Sequence, residues 1–217
     1  MSANVGRSRA DQKQKTRAEL LEAGRRVFEE RGFSAAQIGE IAKAAGVAHG
    51  TFYVHFKSKE LLLDELLHDF NVALVKKLAR AWPTGGEGRG PEAVQDPMAA
   101  AAKLAEICLD HWRSERGLML AFAQRAGADG KIESLRDGIN PEVGLLLAER
   151  LSALSGAPRA DAELVAQALL GMWTRIGMQH LFGNVSRARA VSLLSTLSVG
   201  AIAAALPGLG TSKEVTS

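Results

Sequence analysis

The chain has 217 residues, 47% of them hydrophobic, a formal net charge of +3 and a single cysteine, Cys108. That apolar content at this length supplies one or two packed domains and excludes a disordered chain, while one cysteine excludes an intrachain disulfide framework and suits a reducing compartment. The first residues, MSANVGRSRADQKQK, are polar and basic without the apolar run of a secretory signal, so the cytoplasm is the expected location.

Charge is distributed unevenly, with 11 Lys and Arg against 7 Asp and Glu in residues 1–60, and 16 against 17 in the remainder. The positive excess lies in the amino-terminal part, where a phosphate-binding element needs it, because each neutralised phosphate releases counterions. Taken alone, a solvated basic arm would look the same.

A first helix is expected over 12–30, with Leu20, Leu21, Gly24, Val27 and Phe28 on its inner face and Arg31-Gly32 ending it. It carries Lys13, Lys15 and Arg17, equally suited to solvent and to phosphate. In the next helix Ile38, Ile41, Ala42 and Ala45 recur at spacings of three and four, which puts them on one face. Ser34 and Gln37 have the spacing of a capping box that starts it. Ala42 is small enough for a close helix crossing. Gly46 supplies the positive φ at which the chain reverses, and Val47 plugs the small core. The short helix that follows turns Phe52 and Phe56 inward and spreads His49, Gly50, Thr51, Tyr53 and His55 outside.

Helix, tight turn and short helix together have the form of a helix-turn-helix DNA-reading head. Gly50 costs a helix about 1 kcal/mol relative to Ala, which a close approach to a phosphate or base edge explains. The plainer alternative is a three-helix cluster with polar residues outside.

From Lys59 to Trp82 a long helix carries Leu63, Leu66, Leu67, Phe70, Leu74, Leu78 and Ala81 as one stripe, and is long enough to belong to both the head and the next core. PTGGEGRGPEAVQD then reads as an internal loop. Further helices are expected over 97–115, 117–125, from Asn140-Pro141-Glu142 to Gly156, 159–182 and 186–206. The 159–182 helix is apolar almost all round, which asks for cover on two sides, and a partner subunit could provide the second.

No charge occurs from Ala190 to Ser212, a run long enough to span a hydrocarbon core. Its serines, Thr196, Gly200 and many alanines favour a helix–helix interface over a membrane anchor. With no strand-like alternation or repeat, the fold class is all-α, about nine helices. A three-helix DNA-binding head occupies 1–58 and a helical ligand-binding and dimerisation domain 59–217.

Catalysis finds little support, since His68, His111 and His180 lie on separate helices without a nucleophile motif, and GGEGRG has no strand before it. Cys108 and His111 are three apart, too few ligands for a metal site. No catalytic residue, metal or cofactor is expected. Cys108, His111, Trp112, Met119, Phe122, Met172, Trp173, Ile176 and Met178 offer flexible and aromatic side chains to an apolar small-molecule cavity, and equally to an ordinary core.

The stretch A-G-V-A-H-G-T-F-Y-V-H-F-K-S-K-E-L-L resembles the signature of the TetR family of transcriptional repressors. It is met at Ala45, Gly46, Val47, Gly50, Tyr53, His55, Phe56, Lys59, Glu60 and Leu62. Ala48 and Ala36 depart from it, each standing where the family often has a capping hydroxyl. The motif covers only the first third of the chain.

The resemblance implies a homodimeric repressor bound to a palindromic operator in double-stranded DNA. It puts His49 and Thr51 nearest base edges, Tyr53, His55 and Lys59 at phosphates, and Gln37 among the DNA contacts. It also implies pairing of the last two long helices into a four-helix bundle, with Leu169, Leu170, Leu194 and Leu197 at the dimer interface. A small-molecule effector would lower DNA affinity by moving the 59–82 helix. Two other readings stand beside this one: a DNA-binding regulator or architectural protein controlled by a protein partner without a small ligand, and a membrane-tethered DNA head.

Overall fold

The computed structural model describes residues 2–82, 96–128 and 141–206. Residues 83–95 of the expected loop and the Asn140 cap lie outside the described residues. Nine helices and no strand occur among them: α1 (Ser2–Ala35), α2 (Ile38–Ala44), α3 (His49–His55), α4 (Lys59–Ala81), α5 (Pro97–Ser114), α6 (Arg116–Ala128), α7 (Pro141–Ser155), α8 (Arg159–Leu181) and α9 (Arg187–Ala205).

These helices form two compact units. The first contains α1–α3, α4 as far as Phe70, and α6; the second contains α4 from Asn71, α5, and α7–α9. This differs from a division at residue 58 in two respects. The first three turns of α4 belong to the head, because Leu62, Leu63 and Leu66 are buried there with Leu20, Phe28, Ile41 and Phe52. Helix α6 belongs to it as well. The chain therefore passes between the units three times, within α4, where α5 is followed by α6, and again between α6 and α7.

In the first unit, α1 begins ten residues earlier than expected. Its regular dihedrals break at Gly32, where φ is 73°, so the stop read at Arg31-Gly32 falls where the backbone leaves the helix. The start of α2 is also shifted. The Gln37 backbone N–H donates to Glu40 Oε2 at 3.2 Å, so the reciprocal cap joins Gln37 and Glu40 rather than Ser34 and Gln37. Ile41 and Ala42 are buried, Gly46 has φ 70°, and Val47 N–H returns to the Ala42 carbonyl at 3.0 Å. A Cβ at that φ would be strained.

Helix α6 is fastened to the head at three places. The Phe33 N–H donates to Gln124 Oε1 at 2.7 Å, Arg125 pairs with Asp64, and Arg25 with Glu115 just before α6. Its Leu118, Met119 and Phe122 are buried.

In the second unit, Ala148, Leu151, Ala162, Ala166, Leu169 and Leu206 form one apolar cluster, and Ala105, Leu109, Ala190 and Leu194 another. Met172 and Trp173 of α8 pack against both. The Trp173 indole N–H donates to Ser198 Oγ at 2.8 Å, and Arg187 grips Asp110 with two hydrogen bonds of 3.1 and 2.9 Å. α9 is thereby tied to α8 and α5. It is long and apolar enough to cross a membrane by length and composition, and these polar ties fix one of its faces to α8 and α5.

Candidate nucleic-acid interface

Helix α3 is seven residues long, and its faces follow from the burial of one side chain. Phe52 points into the core, packed with its ring centroid 5.8 Å from that of Phe56. At 3.6 residues per turn, residues two positions away lie about 200° around the helix, so Gly50 and Val54 form the outermost ridge. His49 and Tyr53 occupy one flank with ring centroids 5.4 Å apart, edge to face. Thr51 and His55 occupy the other, both partly covered. Ala48 provides no side-chain cap at the helix start.

The expected DNA-binding residues fall into two groups. Gln37, His49, Gly50 and Tyr53 are exposed, and Thr51 is half-buried on the same short helix, so all are available to a duplex. Lys59 is otherwise engaged. Its ammonium donates to the carbonyls of Phe33 and Ala36 at 2.8 and 3.0 Å and lies 3.4 Å from that of Ser34. Three acceptors match its three donors, so in the free head Lys59 gathers the backbone between α1 and α2 instead of pointing to solvent.

Arg17 is likewise built in. It pairs with Glu65, donates to the His55 carbonyl at 2.8 Å and lies 4.2 Å from the centre of the Phe56 ring. Burial, followed by the nearby charges of Lys13 and Arg17, holds the His55 pKa below its ordinary value. Its Nδ1 is buried without a hydrogen-bond partner. Among the basic residues of α1, Lys13 and Arg17 both act on His55 by charge, and Arg17 also braces the helix behind it.

The residues expected to line a ligand cavity do not share one unit. Met119 and Phe122 are core residues of the head unit on α6, whereas Cys108, His111, Trp112, Met172, Trp173, Ile176 and Met178 belong to the second. Within the second unit, the Trp112 ring lies so close to α8 that a Cβ on Gly177 would come within 2.6 Å of it. Trp112 Nε1 and Asn71 Oδ1 are buried there without hydrogen-bond partners.

Lys77 Nζ donates to His111 Nδ1 at 2.9 Å. Burial pushes the Cys108 thiol up to about 12, which leaves it a small, protonated core residue. Among the described residues no group of three metal-ligating side chains forms around Cys108 and His111.

The expected interface leucines divide similarly. Leu169 and Leu194 are buried in the second unit's own clusters, Leu170 is half-buried, and Leu197 is exposed. Leu169 and Leu194 therefore complete the chain's own core. Leu164 on α8 is exposed to a greater degree than Leu197.

Val54 and Asn71 were not among the residues singled out from the sequence. Both left a signal there. Val54 is apolar at the position opposite Phe52, and Asn71 is polar beside the stripe of Leu67, Phe70 and Leu74.

Residues 20–66 match the family model described as bacterial regulatory proteins, tetR family. The HTH-type transcriptional regulator AcrR of Shigella flexneri is 42% identical over 62 residues, covering 29% of this chain and 29% of that protein. The HTH-type transcriptional repressor KstR2 of Mycobacterium tuberculosis is 46% identical over 61 residues, 28% of this chain and 30% of that protein. The match thus spans less than a third of either curated relative.

In fold, a TetR-like transcriptional regulator from Rhodococcus sp. RHA1 aligns with a TM-score of 0.56 at 24% identity, covering 87% of this chain and 96% of the other. A tetR-family regulator from Streptomyces coelicolor aligns at 0.62 and 18%, covering 88% and 82%. The head thus matches the tetR-family model in sequence over residues 20–66, and the helices of the chain are similar in fold to TetR-like transcriptional regulators.

Proposed function

We propose that this protein is a cytoplasmic, homodimeric repressor that holds a palindromic operator through α3 and releases it when a small, mostly apolar effector enters the second unit. The observation that carries the DNA half is the outward surface of α3. Exposed His49 and Tyr53, together with Thr51 and His55, flank an open ridge on a helix anchored by Phe52 and Phe56. His49 and Thr51 are assigned to base edges, Tyr53, His55 and Gln37 to the backbone, and Lys59 to shaping the head.

The dimer is supported by the unmet burial of α9. Of the residues in its apolar stretch, 22% are buried within the chain, while Leu197 and Gly200 on α9 and Leu164 and Gly171 on α8 are exposed. Small and apolar residues on two adjacent helices suit close pairing with a second copy.

The effector site is supported by Trp112 and Asn71. Each is a buried polar group lacking a partner within an apolar core, a costly arrangement that a bound molecule offering an acceptor and a donor would relieve. Signal can pass to the head through chain crossings such as those within α4 and at the α5–α6 junction.

The test is a thermal-shift screen of apolar small molecules carrying one polar group, followed by operator binding with each stabilising compound. A coupling of about 1–3 kcal/mol predicts about 5–150-fold weaker DNA binding at saturation. Compounds that stabilise the protein yet leave operator affinity unchanged would reject the effector reading and favour control by a protein partner.

A further inference from the structure

Resting on the DNA-binding reading of α3, we propose that Val54 reads the C5-methyl group of a thymine in the major groove. Val54 is 68% exposed, the most exposed of the large hydrophobic residues in the described structure. It stands four residues from Gly50, so the two are neighbours on one face. That face lies opposite buried Phe52 and forms the ridge between the His49/Tyr53 and Thr51/His55 flanks.

The ridge has no hydrogen-bonding side chain. Gly50 has none at all, and no atom lies within 4 Å of where its Cβ would stand, so packing in the free head does not demand a glycine there. This outermost line, a bare backbone and an isopropyl group, can itself discriminate only by shape and apolar contact. In the major groove the sole apolar group on a base edge is the thymine methyl. Polar flanks then meet the groove walls, where phosphates and flanking base edges provide partners.

Leaving an isopropyl group in water on a short, otherwise polar surface gives the free protein nothing. Against a methyl group, both lose hydrated apolar surface. Gly50 leaves the room for the base edge to come close beside it.

The test begins with selection of binding sites from random duplex DNA by the full-length protein. Each thymine of the selected site is then replaced singly by deoxyuridine, which keeps base pairing and removes only the methyl. The wild-type protein should lose about four-fold in affinity at one thymine position per half-site, the scale of burying one methyl-sized group. Val54→Ala should lose a similar factor on the thymine duplex and bind the thymine and deoxyuridine duplexes equally, with an unchanged thermal melt because the side chain is exposed. A selected consensus without thymine, equal wild-type binding to every deoxyuridine duplex, or full thymine discrimination kept by Val54→Ala would each overturn the assignment. Failure to enrich any sequence would overturn the DNA-binding reading itself, and this inference with it.

Discussion

The ammonium of Lys59 lies 2.8 Å from the carbonyl oxygen of Phe33 and 4.6 Å from the centre of the Phe33 ring. One cation thereby holds the backbone beyond the Gly32 break and covers an aromatic face at the start of α4. Lys59→Met should therefore lower the stability of the head, by about 1–3 kcal/mol on the scale of charge-assisted hydrogen bonds. Urea denaturation monitored by circular dichroism checks this. A variant as stable as wild type but weaker on all DNA would return Lys59 to the phosphates.

His55 gives the head a pH dependence with a definite sign. Burial and the charges of Lys13 and Arg17 depress its pKa below 6.5 in the folded protein, so the unfolded chain takes up the proton first as pH falls. Stability should be full above about pH 6.5 and decline below it, and His55→Gln should flatten that decline. If a phosphate lies beside the ring, it favours the imidazolium, so operator affinity should rise on acidification from about pH 7.5 to 6. An equal pH slope in His55→Gln would remove His55 from the phosphate contacts.

Two leucines three residues apart on α9 should behave oppositely. Leu194 is 1% exposed and Leu197 46%. Leu197→Asp should keep the fold and yield monomers in sedimentation. Leu194→Asp places a carboxylate among Ala105, Leu109 and Ala190 and should cost several kcal/mol of stability, since a buried unpaired charge is expensive. A folded, dimeric Leu197→Asp protein would move the interface elsewhere.

The contrast between these leucines shows where the sequence stops being legible. The head could be read because its signals are local: Gly46 at the reversal, and Phe52 and Phe56 four apart on a short helix. α9 has no polar stripe to mark an outer face, so Leu194 and Leu197 looked alike. Met119 and Phe122 looked like cavity residues because apolar periodicity predicts burial but not the burying partner. That partner was fixed by Gln124 and Arg125, through contacts to Phe33 and Asp64 far away in sequence. The partners of Lys59 are backbone carbonyls, which no side-chain pattern reveals.

Trp112→Phe separates packing from polarity in the second unit. It retains a ring against Gly177 and deletes the buried N–H that lacks a partner, so stability should change by no more than about 1 kcal/mol. Effector affinity, read by the remaining tryptophan fluorescence or by calorimetry, should fall by about two- to ten-fold, the scale of one net hydrogen bond. An unchanged affinity would take Trp112 out of the effector site.

The most direct test of the central claim is the symmetry and stoichiometry of the protein on DNA that it selects itself. Sites enriched from random duplexes, followed by sedimentation of the complex, should give a two-fold symmetric sequence. Its half-sites should lie about one helical turn or a multiple apart, and each repeat unit should be bound by two chains. An asymmetric site occupied by a single chain would contradict the account.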